Sequence, residues 1–488
     1  MASDNKLNIC LATAEFAPFA KSGGLADVSA ALSAYLHEAG HDVRVLMPLY
    51  STIDLGALQP RPVDGLEDMS IEIGAETFNY SIERVTLDNG MPLYLLRCPA
   101  LYNRGALYTE DSDEHLRFIL LSRAAFEMCQ RMQFAPDIMH CHDWHVALIP
   151  VFLKSVYAWD KLFAKTKSVL TIHNIGYQGV FDAAIHKDLN LVAFEHLLHK
   201  EDFAQGRINF LKTGLMHADL LTTVSPTYAQ EIQGEEYGMG LDGILRSRDD
   251  ALIGILNGVD YDEWNPETDT LIPRNYAAQD LSGKRACKRQ LQKELGLKQK
   301  PNTPLIGIVS RLVEQKGFDL LEHVLPGMLE QRDFALAVLG TGQPRFEEFF
   351  TGLQHQAPGR AAFFRGYSEK MAHMIEAGSD MFLMPSRYEP CGLNQMYSLK
   401  YGTIPIVRET GGLADSVQPI NPDNGTGTGV LFRHYDGTGV EWAINTALDL
   451  YEDKPLWKEV MQNGMAMDFS WQQQGAQYVT MFRQLVGK

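Results

Sequence analysis

The sequence lacks several features that would assign it to a class of protein at once. No apolar run approaches the roughly 20 residues of a helix that crosses a bilayer, so we do not expect a membrane protein. Six cysteines form no CxxC pair and are interpreted as free thiols of a reducing compartment. Residues 1–6 contain neither a signal-peptide core nor an Arg/Ser-rich transit segment, which predicts a cytoplasmic location.

Clusters of basic residues are missing as well. The chain has 61 Asp and Glu against 43 Lys and Arg, for a formal net charge of -18. A surface this acidic repels nucleic acids and anionic lipids, so neither is an expected partner. If the ligand is an anion, the basic residues that bind it must be gathered at one place.

The remaining composition is that of a globular enzyme, with 45% hydrophobic and 21% charged residues. A chain of 488 residues exceeds one ordinary core, so at least two domains are expected. Short apolar runs alternate with helical segments in both halves, which predicts an α/β fold with doubly wound parallel sheets. Strands are predicted at 7–13, 42–47, 137–142, 168–173, 220–224 and 253–256, and then at 305–309, 334–339, 361–364, 381–384 and 404–407. Runs 69–73 and 78–87 predict an antiparallel insertion.

A change of composition separates the two halves. Residues 265–304 have the Pro-rich and charged character of surface and linker segments, and a new series of strands starts at Leu305. We therefore predict a first domain at 1–252, a second at 253–466 and a terminal segment at 467–488. The terminal segment contains a predicted helix over 471–486, which is a candidate to cross back and brace the first domain.

The first candidate binding segment is the turn after the first predicted strand. Gly23 and Gly24 let the backbone turn and approach a ligand, and a helix begins directly after them. The positive end of that helix, with Lys21 beside it, predicts a phosphate site. The alternative is a tight turn with a solvated lysine. The same five residues, Gly-Gly-Leu-Ala-Asp, recur at 411–415.

Polar side chains follow two further strands of the first half. Residues 140–145 read His-Cys-His-Asp-Trp-His, and His173 and Asn174 end the next strand. Because ligands bind at the carboxyl ends of parallel strands, we expect Asp143, His173 and Asn174 to face one crevice. Positioning of a hydroxylated ligand is favoured over a zinc site, and buried structural roles stay open for His140 and His145.

The second half offers its own anion-binding residues. Arg311 and Lys316 are predicted to lie in a loop after a strand. There the forked guanidinium of the arginine and the compact ammonium of the lysine would suit a diphosphate. The alternative is that both side chains are simply solvated. Glu389 precedes Pro-Cys-Gly on a predicted turn, and the amides of Gly392 and Leu393 open the next helix. A carboxylate beside an anion site suits a sugar phosphate, whereas a structural acid at a helix start is the alternative.

These segments, in this order, resemble the bacterial glycogen synthases, a family shared with the plant starch synthases. The resemblance spans nearly the whole chain and rests on residues 21–28, 142–145, 173–174, 257–260, 310–317, 389–393, 410–415 and 467–471. Ser22, Tyr388 and Asn394 stand where the family commonly has threonine, phenylalanine and threonine. None of these departures removes a charge.

The resemblance implies a GT-B fold, with two Rossmann-like domains facing each other across a deep cleft. It implies transfer of glucose from ADP-glucose to the non-reducing end of an α-1,4-glucan such as glycogen, with retention of configuration. No cofactor and no metal are implied. A GT-B transferase with a different acceptor, and a non-catalytic glucan-binding protein, remain the alternatives.

The resemblance also implies roles for single residues, by their position in these segments. The implied catalytic residues are Glu389, His173, Asp143, Arg311 and Lys316. Tyr102 is a weaker candidate for contact with the acceptor. The implied donor-binding residues are Lys21, Gly23, Gly24, Asn174, Asn257, Arg311, Lys316, Gly392, Leu393, Thr410, Gly411 and Gly412.

Overall fold

A computed structural model describes residues 6–488, which contacts divide into two compact units. The N-terminal unit runs up to Val224 and adds Ala229–Gly258 and Trp471–Lys488. The C-terminal unit comprises Ser225–Tyr228 and Val259–Ser470. The predicted domain bounds stay a prediction. The predicted absence of a signal or transit segment concerns residues 1–6, of which the described chain includes only residue 6.

The N-terminal unit is built on one mixed sheet. The strands of this unit are β1 Asn8–Ala12, β2 Asp42–Pro48, β3 Arg61–Pro62, β4 Met69–Ile73, β5 Glu76–Thr86, β6 Pro92–Arg97, β7 Ile138–His142, β8 Lys167–Ile172, β9 Val180–Asp182, β10 Arg207–Asn209, β11 Leu220–Thr223 and β12 Leu252–Gly254. The nine-strand path of the sheet runs β12-β11-β8-β7-β1-β2-β6-β5-β3, and β4 pairs with β5. The pairs from β12 to β6 are parallel, whereas β5 is antiparallel to β6, β3 and β4.

The predicted antiparallel insertion is confirmed by β4 and β5, while β6 was not predicted. The central strands are buried along most of their length, as expected for a sheet covered by helices on both faces. The helices up to Gly258 are α1 Gly24–Glu38, α2 Pro99–Tyr102, α3 Glu114–Arg131, α4 Ile149–Leu153, α5 Lys200–Ala204, α6 Phe210–His217, α7 Pro226–Glu231 and α8 Asp242–Ser247.

The C-terminal unit is built on a parallel sheet of six strands. The strands are β13 Leu305–Leu312, β14 Ala335–Gly342, β15 Ala361–Arg365, β16 Met381–Met384, β17 Ile404–Arg408 and β18 Val430–Phe432. Their order in the sheet is β15-β14-β13-β16-β17-β18, which is the doubly wound order of a Rossmann fold. The predicted series of strands is confirmed, and β18 is an addition that was not predicted.

Helices cover both faces of this second sheet. Ile306 and Val338 of the sheet share one buried cluster with Phe318 and Leu325 of the helix that follows β13. The helices are α9 Ser282–Glu294, α10 Phe318–Gln331, α11 Pro344–Gln356, α12 Glu369–Gly378, α13 Asn394–Lys400, α14 Gly411–Ser416, α15 Gly437–Glu452 and α16 Lys454–Met465. None of the helices among residues 6–488 has the length and apolar character needed to cross a membrane.

Strand order fixes where each unit has a crevice. In the N-terminal unit β1 lies between β2 and β7, and in the C-terminal unit β13 lies between β14 and β16. On the two sides of β1, and likewise of β13, later strands of the chain are added toward opposite edges of the sheet. Loops that leave the carboxyl ends of these strands diverge, and open α/β sheets bind ligands there.

The last helix, α17 Trp471–Val486, packs within the N-terminal unit. It contacts α1 so closely that a Cβ on Gly475 would lie 2.3 Å from a ring atom of Tyr35. A Cβ on Gly258 would likewise lie 2.6 Å from the Trp471 ring. Two glycines therefore let this helix approach its neighbours, which a larger residue would prevent.

We predict that Gly475→Ala lowers the stability of the chain by about 1–3 kcal/mol, as expected for overpacking. Helix propensity alone would give the opposite result, because alanine is favoured over glycine within a helix. Thermal and urea unfolding measure the change, with Gln473→Ala on the exposed face of the same helix as the control. Adding Tyr35→Ala should remove the clash. A Gly475→Ala variant as stable as the parent would contradict the prediction.

Candidate active site

The turn after β1 carries the first predicted anion site. Lys21 Nζ lies 2.6 Å from Asp27 Oδ1, and the two side chains are 45% and 29% exposed. Burial raises the pKa of Asp27, and the ammonium of Lys21 opposes that shift. Gly23 is extended, with φ -169°. The predicted sharp turn would require glycine, whereas this extended backbone does not. A Cβ there would meet no described atom within 4 Å, so the glycine leaves open space.

Glu15 holds this turn, and sequence reasoning missed it. Its carboxylate is 2% exposed and accepts hydrogen bonds from the Ser22 amide at 2.7 Å and the Ser22 hydroxyl at 2.5 Å. Tyr108 donates its hydroxyl to the same carboxylate at 2.6 Å. Its position in the sequence could have identified it, because Glu15 is an acid just beyond the carboxyl end of β1.

The ends of β7 and β8 bring the predicted polar residues together. Asp143 Oδ1 accepts hydrogen bonds from the His173 amide at 2.8 Å and the Asn174 amide at 3.4 Å. Asp143 has φ 60° and ψ -174°, a region that residues other than glycine rarely adopt. Such strain is typical of functional sites, where the surrounding contacts hold the side chain in position.

Burial controls the charge of this group. It raises the pKa of Asp143 to about 7, although the two backbone hydrogen bonds oppose the shift. It lowers the pKa of His173 to about 3, so the imidazole is neutral at physiological pH. The group therefore offers hydrogen bonds rather than a fixed charge, which suits sugar hydroxyls better than a phosphate.

A row of buried histidines lies behind His173. His142 Nδ1 lies 2.8 Å from His173 Nε2, and His140 Nε2 lies 2.7 Å from the hydroxyl of Thr171. His145 stacks on the ring of Tyr108, with centroids 4.8 Å apart. These contacts fit structural roles for His140 and His145. Because His142 occupies Nε2 of His173, only Nδ1 of the His173 ring is left for a ligand. Within residues 6–488, none of these histidines belongs to a group with metal-ligand spacing.

Two other predicted residues of the N-terminal unit are buried. Asn257 is 4% exposed, and its Oδ1 has no hydrogen-bond partner in the described chain. Tyr102 is fully buried, and its hydroxyl donates to the carbonyl of Arg117 at 2.8 Å. No surface of Tyr102 is left for an acceptor, so its predicted acceptor contact does not fit this structure.

The C-terminal unit joins its two candidate charges at the ends of β13 and β16. Lys316 Nζ lies 2.6 Å from Glu389 Oε2, which also accepts a hydrogen bond from the Ser386 hydroxyl at 2.9 Å. The Glu389 side chain is 6% exposed and that of Lys316 is 20% exposed. Gly317, with φ 78°, permits this approach, because a Cβ there would lie 2.0 Å from the carbonyl oxygen of Pro385.

Groups suited to an anion lie at the same edge of the sheet. Arg311 was predicted to lie in a loop, but it is part of β13, which continues to Leu312. Its side chain is exposed and forms no ion pair with any described carboxylate. The amides of Gly392 and Leu393 find no hydrogen-bond acceptor within residues 6–488, just before α13 begins.

The second copy of the repeated pentapeptide has a different role from the first. Gly411 has φ 44°, and a Cβ on it would lie 1.9 Å from the carbonyl oxygen of Glu389. The Gly412 amide donates to that same oxygen at 3.1 Å. The implied donor-binding roles of Gly411 and Gly412 stay predictions, and in this structure the Gly412 amide already has a backbone acceptor. The two glycines therefore hold the Glu389 segment in place, and the neighbouring Thr410 is buried.

Comparison with known protein families agrees with the division of the chain into two units. Residues 8–247 match the model of the starch synthase catalytic domain. Residues 289–463 match the model of glycosyl transferases group 1.

Similar proteins cover nearly the full length of the chain. A protein named glycogen synthase 1 from Geobacter sulfurreducens is 44% identical over 98% of this chain and 96% of its own. A glycogen synthase from Koribacter versatilis is 45% identical over 98% of both chains. The catalytic domain of starch synthase IV from Arabidopsis thaliana, solved with ADP and acarbose bound, superposes with a TM-score of 0.91. It is 34% identical and covers 99% of this chain and 100% of its own.

The two parallel α/β sheets, the two family models and the full-length relatives lead to one conclusion: this chain belongs to the glycogen and starch synthase family of GT-B glycosyltransferases.

Proposed function

We propose that this chain transfers glucose from ADP-glucose to the non-reducing end of an α-1,4-glucan such as glycogen, with retention of configuration. The observation that carries the proposal is the contact between Lys316 and Glu389 at the carboxyl ends of β13 and β16. It pairs a cation for a leaving phosphate with a carboxylate for a sugar at the position where doubly wound sheets bind nucleotides. Support comes from relatives named glycogen synthases and from a similar structure solved with ADP.

The leaving diphosphate is the anion that the C-terminal unit is proposed to bind. As the bond to the sugar breaks, negative charge grows on the phosphate oxygen, and fixed cations and amides stabilise it. Lys316 and Arg311 supply the cations, and Gly392 and Leu393 supply amides that have no other acceptor among the described residues. Lys316 forms an ion pair with Glu389 in this structure.

Sugar hydroxyls are the proposed partners of the uncharged groups. Both contacts of the Glu389 carboxylate fall on Oε2, so we assign Oε1 to a hydroxyl of the donor glucose. In the N-terminal unit, we assign Nδ1 of His173 and the side chains of Asp143 and Asn174 to the reacting sugar. Because the His173 ring is neutral and the pKa of Asp143 is raised to about 7, these groups can donate or accept as the hydroxyls require.

The turn at Lys21 is proposed to contribute one more cation to the donor phosphates. Its ammonium is nearly half exposed and is held by Asp27, while Gly23 leaves open space beside it. Asn257 and Thr410, also implied as donor-binding, stay predictions. So do the cytoplasmic location and a reaction that needs neither metal nor cofactor.

The choice of nucleotide is the first of three predictions that follow from the proposed function. We expect the protein to incorporate labelled glucose into a glycogen primer from ADP-glucose much faster than from UDP-glucose. Initial rates at matched donor concentrations measure this, with boiled enzyme and primer-free reactions as controls. A strong preference for UDP-glucose would overturn the assigned donor, and no incorporation from either would favour another acceptor or a non-catalytic protein.

Removal of either member of the Lys316–Glu389 pair is the second prediction. We expect Lys316→Ala and Glu389→Gln to lower kcat by about 100-fold or more, as for other groups that stabilise developing charge. Lys300→Ala is the matched control, because Lys300 forms an exposed ion pair with Asp333 in the same unit. Thermal unfolding should show that both variants stay folded. Rates within a few-fold of the parent would refute the proposed roles.

The raised pKa of Asp143 gives a third prediction, on stability. Between about pH 4 and pH 7 the folded chain keeps a proton on Asp143 that the unfolded chain releases. The parent therefore loses stability from this group as the pH rises through that window. Asp143→Asn carries no such proton, so its stability relative to the parent should increase from pH 4.5 to pH 8.

Urea unfolding at pH 4.5, 6 and 8 measures this difference. Asp64→Asn, which changes an exposed carboxyl group of the same unit, should show no comparable trend. A difference between Asp143→Asn and the parent that is constant with pH would contradict the predicted pKa shift.

A further inference from the structure

A group of ligand-type side chains lies in the C-terminal unit, and the proposed transfer reaction does not use it. One carboxylate oxygen of Glu263, one of Glu369 and one nitrogen of His373 lie within 4.8 Å of one another. Both carboxylates are on exposed residues, whereas His373 is fully buried. Exposed acids often cluster without a ligand, so the state of His373 decides whether this group is a binding site.

Local structure aims these side chains at one point. Glu369 is the first residue of α12, and His373 follows four residues later on the same face of that helix. The Ser368 hydroxyl accepts a hydrogen bond from the Met371 amide at 3.2 Å and fixes the start of the helix. Glu263 is next to Trp264, whose ring stacks on His373 with centroids 3.8 Å apart.

The orientation of the His373 ring is fixed by Asp269. Asp269 Oδ2 accepts a hydrogen bond from His373 Nδ1 at 2.8 Å and another from the Tyr401 hydroxyl at 2.6 Å. Its other oxygen accepts from the Leu271 amide at 2.7 Å. A carboxylate that accepts from one ring nitrogen and so directs the other is the usual support of a metal-binding histidine.

His373 Nε2 is the polar atom that distinguishes this group from an ordinary acidic cluster. It is buried and has no hydrogen-bond partner within residues 6–488. With Nδ1 donating to Asp269, Nε2 carries a lone pair. A buried polar atom without a partner costs free energy that native structures normally avoid. A cation held by the two carboxylates would supply the missing partner.

We propose that Glu263, Glu369 and His373 bind one divalent transition-metal ion, for which Zn²⁺ is the best match. Zinc accepts imidazole nitrogen together with carboxylate oxygen and keeps a position for water when three side chains bind it. Magnesium and calcium prefer ligand sets made only of oxygen. The ion would tie the segment at Glu263 to the start of α12. The ion takes no part in the proposed glucosyl transfer.

Zinc binding to the full chain tests the proposal. The protein is treated with a chelator, dialysed and titrated with Zn²⁺ in a calorimeter. We expect one saturable site in the parent and at least tenfold weaker binding in Glu369→Gln and in Glu263→Gln. Glu348→Gln removes an equivalent exposed charge on α11 and should bind like the parent. Both test variants change exposed residues and should fold without metal, which thermal unfolding checks.

Substitution with Co²⁺ identifies the ligands independently. Its absorption spectrum should show nitrogen and oxygen ligation, without the charge-transfer bands of thiolate, and should weaken in both test variants. Three outcomes would overturn the proposal. These are no saturable binding in the parent, binding that both glutamine variants leave unchanged, and thiolate bands that place the ion on a cysteine.

Discussion

The contact between Lys316 and Glu389 depends on how closely three loops of the C-terminal unit approach one another. Gly317 allows the loop after β13 to meet Pro385, and Gly411 allows the loop after β17 to meet the carbonyl of Glu389. A side chain at either glycine would separate the charged pair. The pair is also mostly buried, so its geometry is fixed by packing rather than by attraction between two mobile side chains. Its position in the fold thus follows from backbone contacts that only glycine permits.

The two units handle charge in opposite ways. In the C-terminal unit a lysine and a glutamate form an ion pair, in which an anionic ligand would compete with the glutamate for the lysine. In the N-terminal unit burial suppresses charge, because it raises the pKa of Asp143 and lowers that of His173. A diphosphate needs fixed cations, whereas sugar hydroxyls need donors and acceptors that can exchange roles. The proposed division of the substrate between these residues follows from that difference.

Much of the fold could be predicted from the sequence, because buried parallel strands give continuous apolar runs of typical length. The strand β6 was missed where Pro92 begins a run close to the antiparallel insertion, and β18 has only three residues. The site was harder to predict, because it depends on contacts between distant residues. Glu15 and Tyr108 are 93 residues apart, and neither has a local pattern that indicates the bond between them. Tyr102 was predicted to contact the acceptor, but its side chain is fully buried. The residues next to it in the sequence do not reveal that burial.

The repeated pentapeptide shows why local sequence has this limit. At 23–27 it starts a long helix, its first glycine is extended, and its aspartate holds Lys21. At 411–415 it starts a short helix, its first glycine has positive φ, and its second glycine binds the carbonyl of Glu389. Both copies provide a helix start, since that property is local. What each glycine does is decided by its tertiary neighbours: open space beside Gly23, and a backbone carbonyl against Gly411. Identical residues therefore leave room for a ligand in one unit and position a carboxylate in the other.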